Sequence, residues 1–420
     1  MKNDRLLKFS MLDFFHNDSK SVLDPPADFE EWYSHPLVTF GFKFAGQPLL
    51  GAPKAVTQIK SAIDDKTRRI INLTSYNYLG LSTHPEVIQA AKEALDKYGT
   101  GSSGSPMVSG TLDLHVEFAR RLAEFKQKED CLLYSSGFGG NLGALQGILR
   151  KGDCVIIDEK GHRSMIDGAI MSGAKMLFFK HNDMKSLEET LEKCKGKRTL
   201  VCVEGVYSMD GDLVKLPEVS ALCDTYGAQI YLDEAHSTLM FGENGRGVGE
   251  HFHMENKVGM TFGTLSKSFG GVGGFICSNA RIIRYMRGYS SAWNFSCAIA
   301  PPTVGGLMKA LEVATRDSTL RDKLWYNTNY LKKNLLELGL NLGNTESQVI
   351  PIIIGSDSEL LYTLAAGIQQ KGLFLQPVTF PAVPAETGRF RMSVSAQISQ
   401  SEMDEALNII KDVIVPAVKK

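Results

Sequence analysis

The sequence predicts an α/β fold, with a large domain built on a mainly parallel seven-stranded sheet covered by helices and a small α+β C-terminal domain. Three observations carry this. At 420 residues the chain can bury one large core plus an appended domain. From about residue 85 to 300, short near-continuous apolar runs alternate with helical stretches, the pattern of parallel strands covered on both faces. Beyond Pro301-Pro302 long helical text runs to about residue 340, and strand and helix then alternate to the end.

In chain order, residues 1–60 lack a strong period and read as an N-terminal arm with a short helix near residues 4–16. The large domain is placed at 61–303 and the small one at 304–420. Its candidate strands are Cys131–Ser135, Cys154–Asp158, Met176–Lys180, Thr199–Glu204, Gln229–Asp233, Met260–Gly263 and Gly274–Ser278, with helices such as Lys185–Cys194 and Leu216–Tyr226 between them. The small domain is expected to hold strand Val349–Ile354, helix Glu359–Lys371, strand Phe390–Ser395 and a final amphipathic helix from Ser401.

Composition narrows the function. A formal net charge of −1 supplies no overall basic field to hold nucleic acid. Seven scattered cysteines with no C-x-x-C motif read as reduced core residues rather than disulfides or a metal site. No run of about 18 apolar residues and no signal-peptide pattern is found, so a cytoplasmic protein is expected. An amphipathic segment with Leu6, Leu7, Phe9, Met11, Leu12, Phe14 and Phe15 leaves two readings open, peripheral contact with the inner face of the membrane or a packing arm.

The polar residues at the expected strand ends are the candidates for chemistry, because open α/β sheets bind ligands outside the carboxyl ends of their strands. Lys267, in Thr264-Leu265-Ser266-Lys267-Ser268, is an amine flanked by hydroxyls that suit a phosphate, or else an ordinary loop lysine. Asp233 closes a strand and needs a cationic partner if buried; a pyridinium nitrogen would serve, and His236 three residues on can donate to a ring oxygen. Gly137 and Phe138 open a helix after a strand and form a phosphate cradle. The same glycines imitate a dinucleotide fingerprint, so a nicotinamide-dependent dehydrogenase is the competing chemistry. His162 can stack on a flat ring or satisfy loop backbone. Arg389 and Arg391 share a face of a strand, where one can hold a carboxylate bidentately or both can be surface residues.

Longer motifs resemble the α-oxoamine synthase family over nearly the whole chain from about residue 40. They include Asn77-Tyr78-Leu79-Gly80-Leu81, Gly101-Ser102-Ser103-Gly104-Ser105, Glu204-Gly205-Val206-Tyr207-Ser208-Met209-Asp210-Gly211-Asp212, Asp233-Glu234-Ala235-His236-Ser237 and Gly263-Thr264-Leu265-Ser266-Lys267-Ser268. Asn344-Thr345-Glu346-Ser347 and Pro381-Ala382-Val383-Pro384-Ala385-Glu386 are most similar to the bacterial serine palmitoyltransferase subgroup.

The resemblance implies a fold-type-I enzyme with pyridoxal 5'-phosphate, condensing L-serine with a long-chain acyl-CoA, palmitoyl-CoA, and losing CO2. It implies Lys267 as covalent anchor and base, Asp233 as partner of the ring nitrogen, His236 at the ring oxygen and His162 stacked on the ring. Gly137, Phe138, Thr264 and Ser266 would hold phosphate, with Ser208 also at the cofactor. Arg391, His162 and Asn77 would bind substrate. Ser296 would reach the neighbouring subunit's phosphate, implying a homodimer with active sites at the interface. Pro106 and Ala396-Gln397-Ile398-Ser399 depart from the family pattern. Other readings stay open: a 2-amino-3-ketobutyrate or 8-amino-7-oxononanoate type of synthase, and a non-catalytic regulatory subunit, against which the retained Lys267, Asp233 and His236 argue.

Overall fold

A computed structural model describes Leu6 and residues 9–418. Its strands, in chain order, are β1 (Val56–Lys60), β2 (Thr67–Asn72), β3 (Asp130–Tyr134), β4 (Cys154–Asp158), β5 (Lys175–Phe179), β6 (Thr199–Glu204), β7 (Gln229–Asp233), β8 (Met260–Thr264), β9 (Gly274–Ser278), β10 (Val349–Gly355), β11 (Leu373–Phe374), β12 (Gln376–Val378) and β13 (Gly388–Ser393).

The chain divides into two compact units, Tyr76–Trp325 and a second made of residues up to Ser75 with those from Tyr326 onward. The division differs from the boundaries expected near residues 60 and 303, for two reasons. Strand β11 pairs in parallel with β2, so the segment before Ser75 forms sheet with the C-terminal part of the chain. Helix Pro301–Arg316 packs on helix Pro85–Tyr98 so closely that a Cβ at Gly305 would lie 2.6 Å from the Cβ of Ala94. Helix-on-helix burial of that kind makes the segment part of the larger unit.

The larger unit holds the expected seven-stranded sheet, in the order β3-β9-β8-β7-β6-β4-β5. Strands β8, β7, β6, β4 and β5 are mutually parallel, and β9 runs antiparallel to both β3 and β8. Every residue of β4, β8 and β9 is buried, which is why these strands read as unbroken apolar runs. The core joins sheet residues such as Val155, Ile157, Tyr231 and Phe262 to Ala144, Leu145, Met165 and Ile283 on the helices of one face. Four of the seven expected strands have the observed bounds, two are shifted by one residue at both ends and one is a residue longer, where hydrogen-bond pairing rather than polarity decides.

The second unit contains a sheet β1-β2-β11 and a sheet β10-β13-β12. The expected arm is more structured than its weak period suggested, with helices Phe29–Tyr33 and Pro36–Ala45 before β1. Of the expected helix near residues 4–16, Leu7 lies outside the described residues. The described part contains a 3-10 turn, Met11–Phe15, closed by reciprocal hydrogen bonds of Ser10 and Asp13. Phe14 packs 5.0 Å from Trp32, while Met11, Leu12 and Phe15 are exposed. No helix among the described residues is long and apolar enough to cross a membrane.

Candidate active site

Because β4, β6, β7 and β8 run parallel, their carboxyl ends bring Asp158, Glu204, Asp233 and Thr264 to one edge of the sheet. A cavity of about 300 Å³ opens there, lined by Gly137, Phe138, His162, Asp233, His236, Thr264, Ser266 and Lys267. Eight predicted site residues therefore meet around one space. Ser208 and Asn77 do not line it. The Asn77 Oδ1 accepts the Ser82 backbone N–H at 3.2 Å. Nor does Ser296, whose hydroxyl hydrogen-bonds the Ser135 hydroxyl at 3.0 Å, two residues before Gly137.

Lys267 is held by its loop. Ser268 Oγ donates to Thr238 O at 2.8 Å, and Gly270 closes the turn with its N–H on Lys267 O at 2.9 Å. Gly270 has φ +75, and a Cβ there would sit 2.3 Å from the Ser82 nitrogen, so the turn requires glycine. Lys267 Nζ hydrogen-bonds His236 Nε2 at 2.8 Å, and His236 Nδ1 bonds the Tyr78 hydroxyl at 2.8 Å. Lys267 and His236 are thus already coupled.

Asp233 is buried at the cavity floor. Its Oδ1 accepts the Ala235 N–H at 2.9 Å and its Oδ2 the Asn141 amide at 2.7 Å. The Asn141 orientation follows from its other contacts, since its Oδ1 accepts the Tyr231 hydroxyl at 2.5 Å and its Nδ2 also donates to Ser164 Oγ at 3.0 Å. Ser164 Oγ hydrogen-bonds His162 Nδ1 at 2.7 Å, and because the Ser164 backbone N–H donates to the same nitrogen at 3.3 Å, Nδ1 is the acceptor. One directed chain of hydrogen bonds links Tyr231, Asn141, Asp233, Ser164 and His162. Burial pushes the His162 imidazole below its ordinary value against the pull of the Asp233 charge, and nearby Lys267 acts in the same direction as burial. A neutral His162 with Nδ1 accepting leaves its proton on Nε2.

The opposite wall is the glycine turn predicted to cradle a phosphate. Ser136 caps helix Gly137–Ile148 by accepting the Gly139 N–H at 2.9 Å, so the first helical turn begins at the cavity. A Cβ at Gly137 would lie 2.6 Å from Thr264 Oγ1, which leaves room only for glycine. Thr264 Oγ1 meets Ser266 Oγ at 2.8 Å, pairing the two hydroxyls predicted for phosphate. This topology answers the dinucleotide reading. The helix after β3 leads to β4, which lies five places across the sheet, and among the described residues β3 has only the antiparallel β9 beside it. A dinucleotide fold needs a parallel neighbour there.

Arg391 belongs to the other unit. It lies in β13, opposite Pro351 and Gln376, and like Arg389 it is buried, so the surface reading of the pair is wrong. The departing segment nearby is anchored by the buried Asn327, whose amide donates to Ser395 O at 3.0 Å and Ile398 O at 3.1 Å. Asn141, Ser164, Tyr231, Tyr78 and Glu204 are site residues that sequence reasoning missed. Tyr78 and Glu204 sit inside quoted motifs, but nothing in the sequence marks Tyr231.

In chemical terms the cavity offers an amine, a buried carboxylate for a cationic ring nitrogen, a flat neutral imidazole and a phosphate cradle. The glycine at 137 and the buried Asp233 fit a phosphorylated, protonated heteroaromatic ring bearing an aldehyde. The model of the class I and II aminotransferase family matches residues 68–410. An 8-amino-7-oxononanoate synthase from Thermoanaerobacter pseudethanolicus is 37% identical over 84% of this chain and 89% of its own. A serine palmitoyltransferase from Sphingobacterium spiritivorum is 38% identical over 81% of this chain and 85% of its own. A solved serine palmitoyltransferase with its pyridoxal phosphate superposes with a TM-score of 0.87 at 30% identity, over 93% of this chain and all of that one.

Proposed function

We propose that this chain, which belongs to the class I and II aminotransferase family and within it to the α-oxoamine synthases, is a serine palmitoyltransferase. It would condense L-serine with palmitoyl-CoA to 3-ketodihydrosphingosine, CoA and CO2, the first step of sphingolipid synthesis. The observation that carries this reading is the superposition along the whole of a serine palmitoyltransferase chain.

The enzyme is pyridoxal-phosphate dependent. When bound, the cofactor supplies an electron-withdrawing ring that stabilises negative charge at the amino acid's Cα. The residues present fit it. Gly137, Phe138, Thr264 and Ser266 would hold its phosphate. Asp233, fixed by Asn141, would keep the ring nitrogen protonated, and a fixed carboxylate costs no reorganisation during reaction. His162, held by Ser164, would lie against the ring face, and His236, braced by Tyr78, would bond the ring oxygen.

Lys267 would anchor the cofactor through its amine and, once released, take the proton from the serine Cα. The thioester carbon of palmitoyl-CoA is then attacked by Cα, the CoA thiolate leaves, and the carboxylate departs as CO2 before Cα is reprotonated. Arg391 would hold the serine carboxylate until that step. Ser208 and Asn77 keep their implied roles at cofactor and substrate, and Ser296 its reach to a partner's phosphate in a homodimer.

The Thermoanaerobacter relative, 37% identical to this chain, favours a second reading, 8-amino-7-oxononanoate synthase. A product assay separates the two. Serine, alanine and glycine are each offered with short and long acyl-CoAs and with a pimeloyl thioester. Serine with palmitoyl-CoA should exceed every other pair by tenfold or more in kcat/KM, and a preference for alanine with the pimeloyl thioester rejects the proposal.

A further inference from the structure

One buried carboxyl at the cavity has no part in the chemistry above. Glu204 closes β6 and stands in register with Asp233 at the end of β7. Neighbouring parallel strands in register turn these side chains to the same face, so two carboxyl groups share one wall of the cavity. Glu204 is 4% exposed, and its Oε1 has no hydrogen-bond partner among the described residues. A carboxylate so placed, beside a second one and without a cation on it, costs far more than a neutral carboxylic acid there.

The strand order then says where this acid points. In the sequence β3-β9-β8-β7-β6-β4-β5, the cradle of Gly137, Thr264 and Ser266 arises from the ends of β3 and β8, on one side of β7. Glu204 arises from β6, on the other side. The phosphate arm and the phenolic oxygen of pyridoxal phosphate occupy opposite edges of the ring, flanking the axis from ring nitrogen to aldehyde. With Asp233 and Lys267 defining that axis, the edge that faces Glu204 is the one bearing the oxygen.

We propose that Glu204 is a cofactor-binding residue that presents a neutral carboxylic acid to the ring edge opposite the phosphate cradle and donates its O–H to the phenolate oxygen. The groups around Glu204 act in the required direction. Burial raises its affinity for a proton well above the ordinary carboxyl range, and the Asp233 charge adds to this. The Lys267 ammonium and the His162 backbone amide oppose it, and Asp158 adds a further push upward. The donor complements His236 and leaves Asp233 as the charged member of the two neighbouring carboxyl groups. The inference rests on the proposed placement of the ring nitrogen at Asp233, not on which amino acid is condensed.

Two measurements test it. The first is the infrared spectrum of the wild type minus that of Glu204→Gln, in cofactor-free and loaded protein at pH 8. A protonated carboxyl stretch should be lost with the substitution in both, and carboxylate bands lost in its place refute a neutral Glu204 whatever the cofactor does. The second is a pH titration of the bound cofactor's visible absorbance. Glu204→Gln keeps an N–H donor and should titrate as wild type. Glu204→Ala should shift the apparent pKa by about one unit, a tenfold change in the ratio of the two forms. An unchanged Glu204→Ala titration, or a Glu204→Gln shift as large as that of Glu204→Ala, overturns the contact. Lys267→Ala in the same buffers tests the parent reading separately, through the lysine-dependent band itself.

Discussion

At the residue scale, the site works by fixing charge rather than by supplying many charges. Lys267 and His236 share a hydrogen bond, while Asn141 spends both amide protons on Asp233 and Ser164. Lys267→Ala should abolish the lysine-dependent absorbance and lower turnover by at least about 10³-fold, because in the proposed mechanism it removes both anchor and base. Retained turnover would sink the mechanism. Asn141→Leu should lower stability by about 1–3 kcal/mol in denaturant unfolding, since it strands the buried Asp233 Oδ2 and Tyr231 hydroxyl. A neutral result would mean that water replaces the amide. Neither Asn141 nor Tyr231 can be found from spacing, because their partners come from β7 and a separate helix.

At the element scale, strand ends are tied together by ions as well as by sheet pairing. His181 follows β5 and bridges Asp158 at the end of β4, 3.0 Å from Nδ1, to Asp212, 2.7 Å from Nε2. Burial alone would lower its affinity for a proton, but the hydrogen bonds to Asp158 and Asp212 outweigh this and raise its pKa to about 9. The folded pKa lies above the unfolded value of about 6.5, so the folded state holds the extra proton. The bridge's stabilisation is full below about 6.5 and is lost as pH rises through about 9. Unfolding measured from pH 6 to 10 should show this decline in the wild type and a flatter profile in His181→Gln. The phosphate cradle is tested at the same scale. Gly137→Val places a Cβ against Thr264 Oγ1 and should weaken cofactor affinity tenfold or more, with the circular dichroism of the sheet intact.

At the scale of the whole molecule, the expected homodimer is the claim that matters most. Ser296 is hydrogen-bonded to Ser135 within its own chain, and its proposed reach to a partner's phosphate rests on the family resemblance. Sedimentation of the loaded enzyme should give twice the chain mass, and mixing inactive Lys267→Ala chains with inactive chains altered at the partner-contributed site should restore activity. A monomer with full activity rejects the shared site. The division into units belongs to this scale as well. Sheet pairing between β2 and β11 joins segments some 300 residues apart, and no local pattern could announce it.

The sequence by itself determined the α/β class, seven central strands to within a residue, and eight residues that meet at one cavity. The class and the strands were legible because apolar periodicity is a local consequence of burial, whereas the eight residues were strand-end candidates whose roles came from the family resemblance. Tertiary structure alone decided the rest. It assigned the described residues up to Ser75 to the C-terminal unit, buried Arg389 and Arg391, and set Glu204 beside Asp233. Those outcomes depend on which strands become neighbours, and neighbours are chosen by packing across the whole chain.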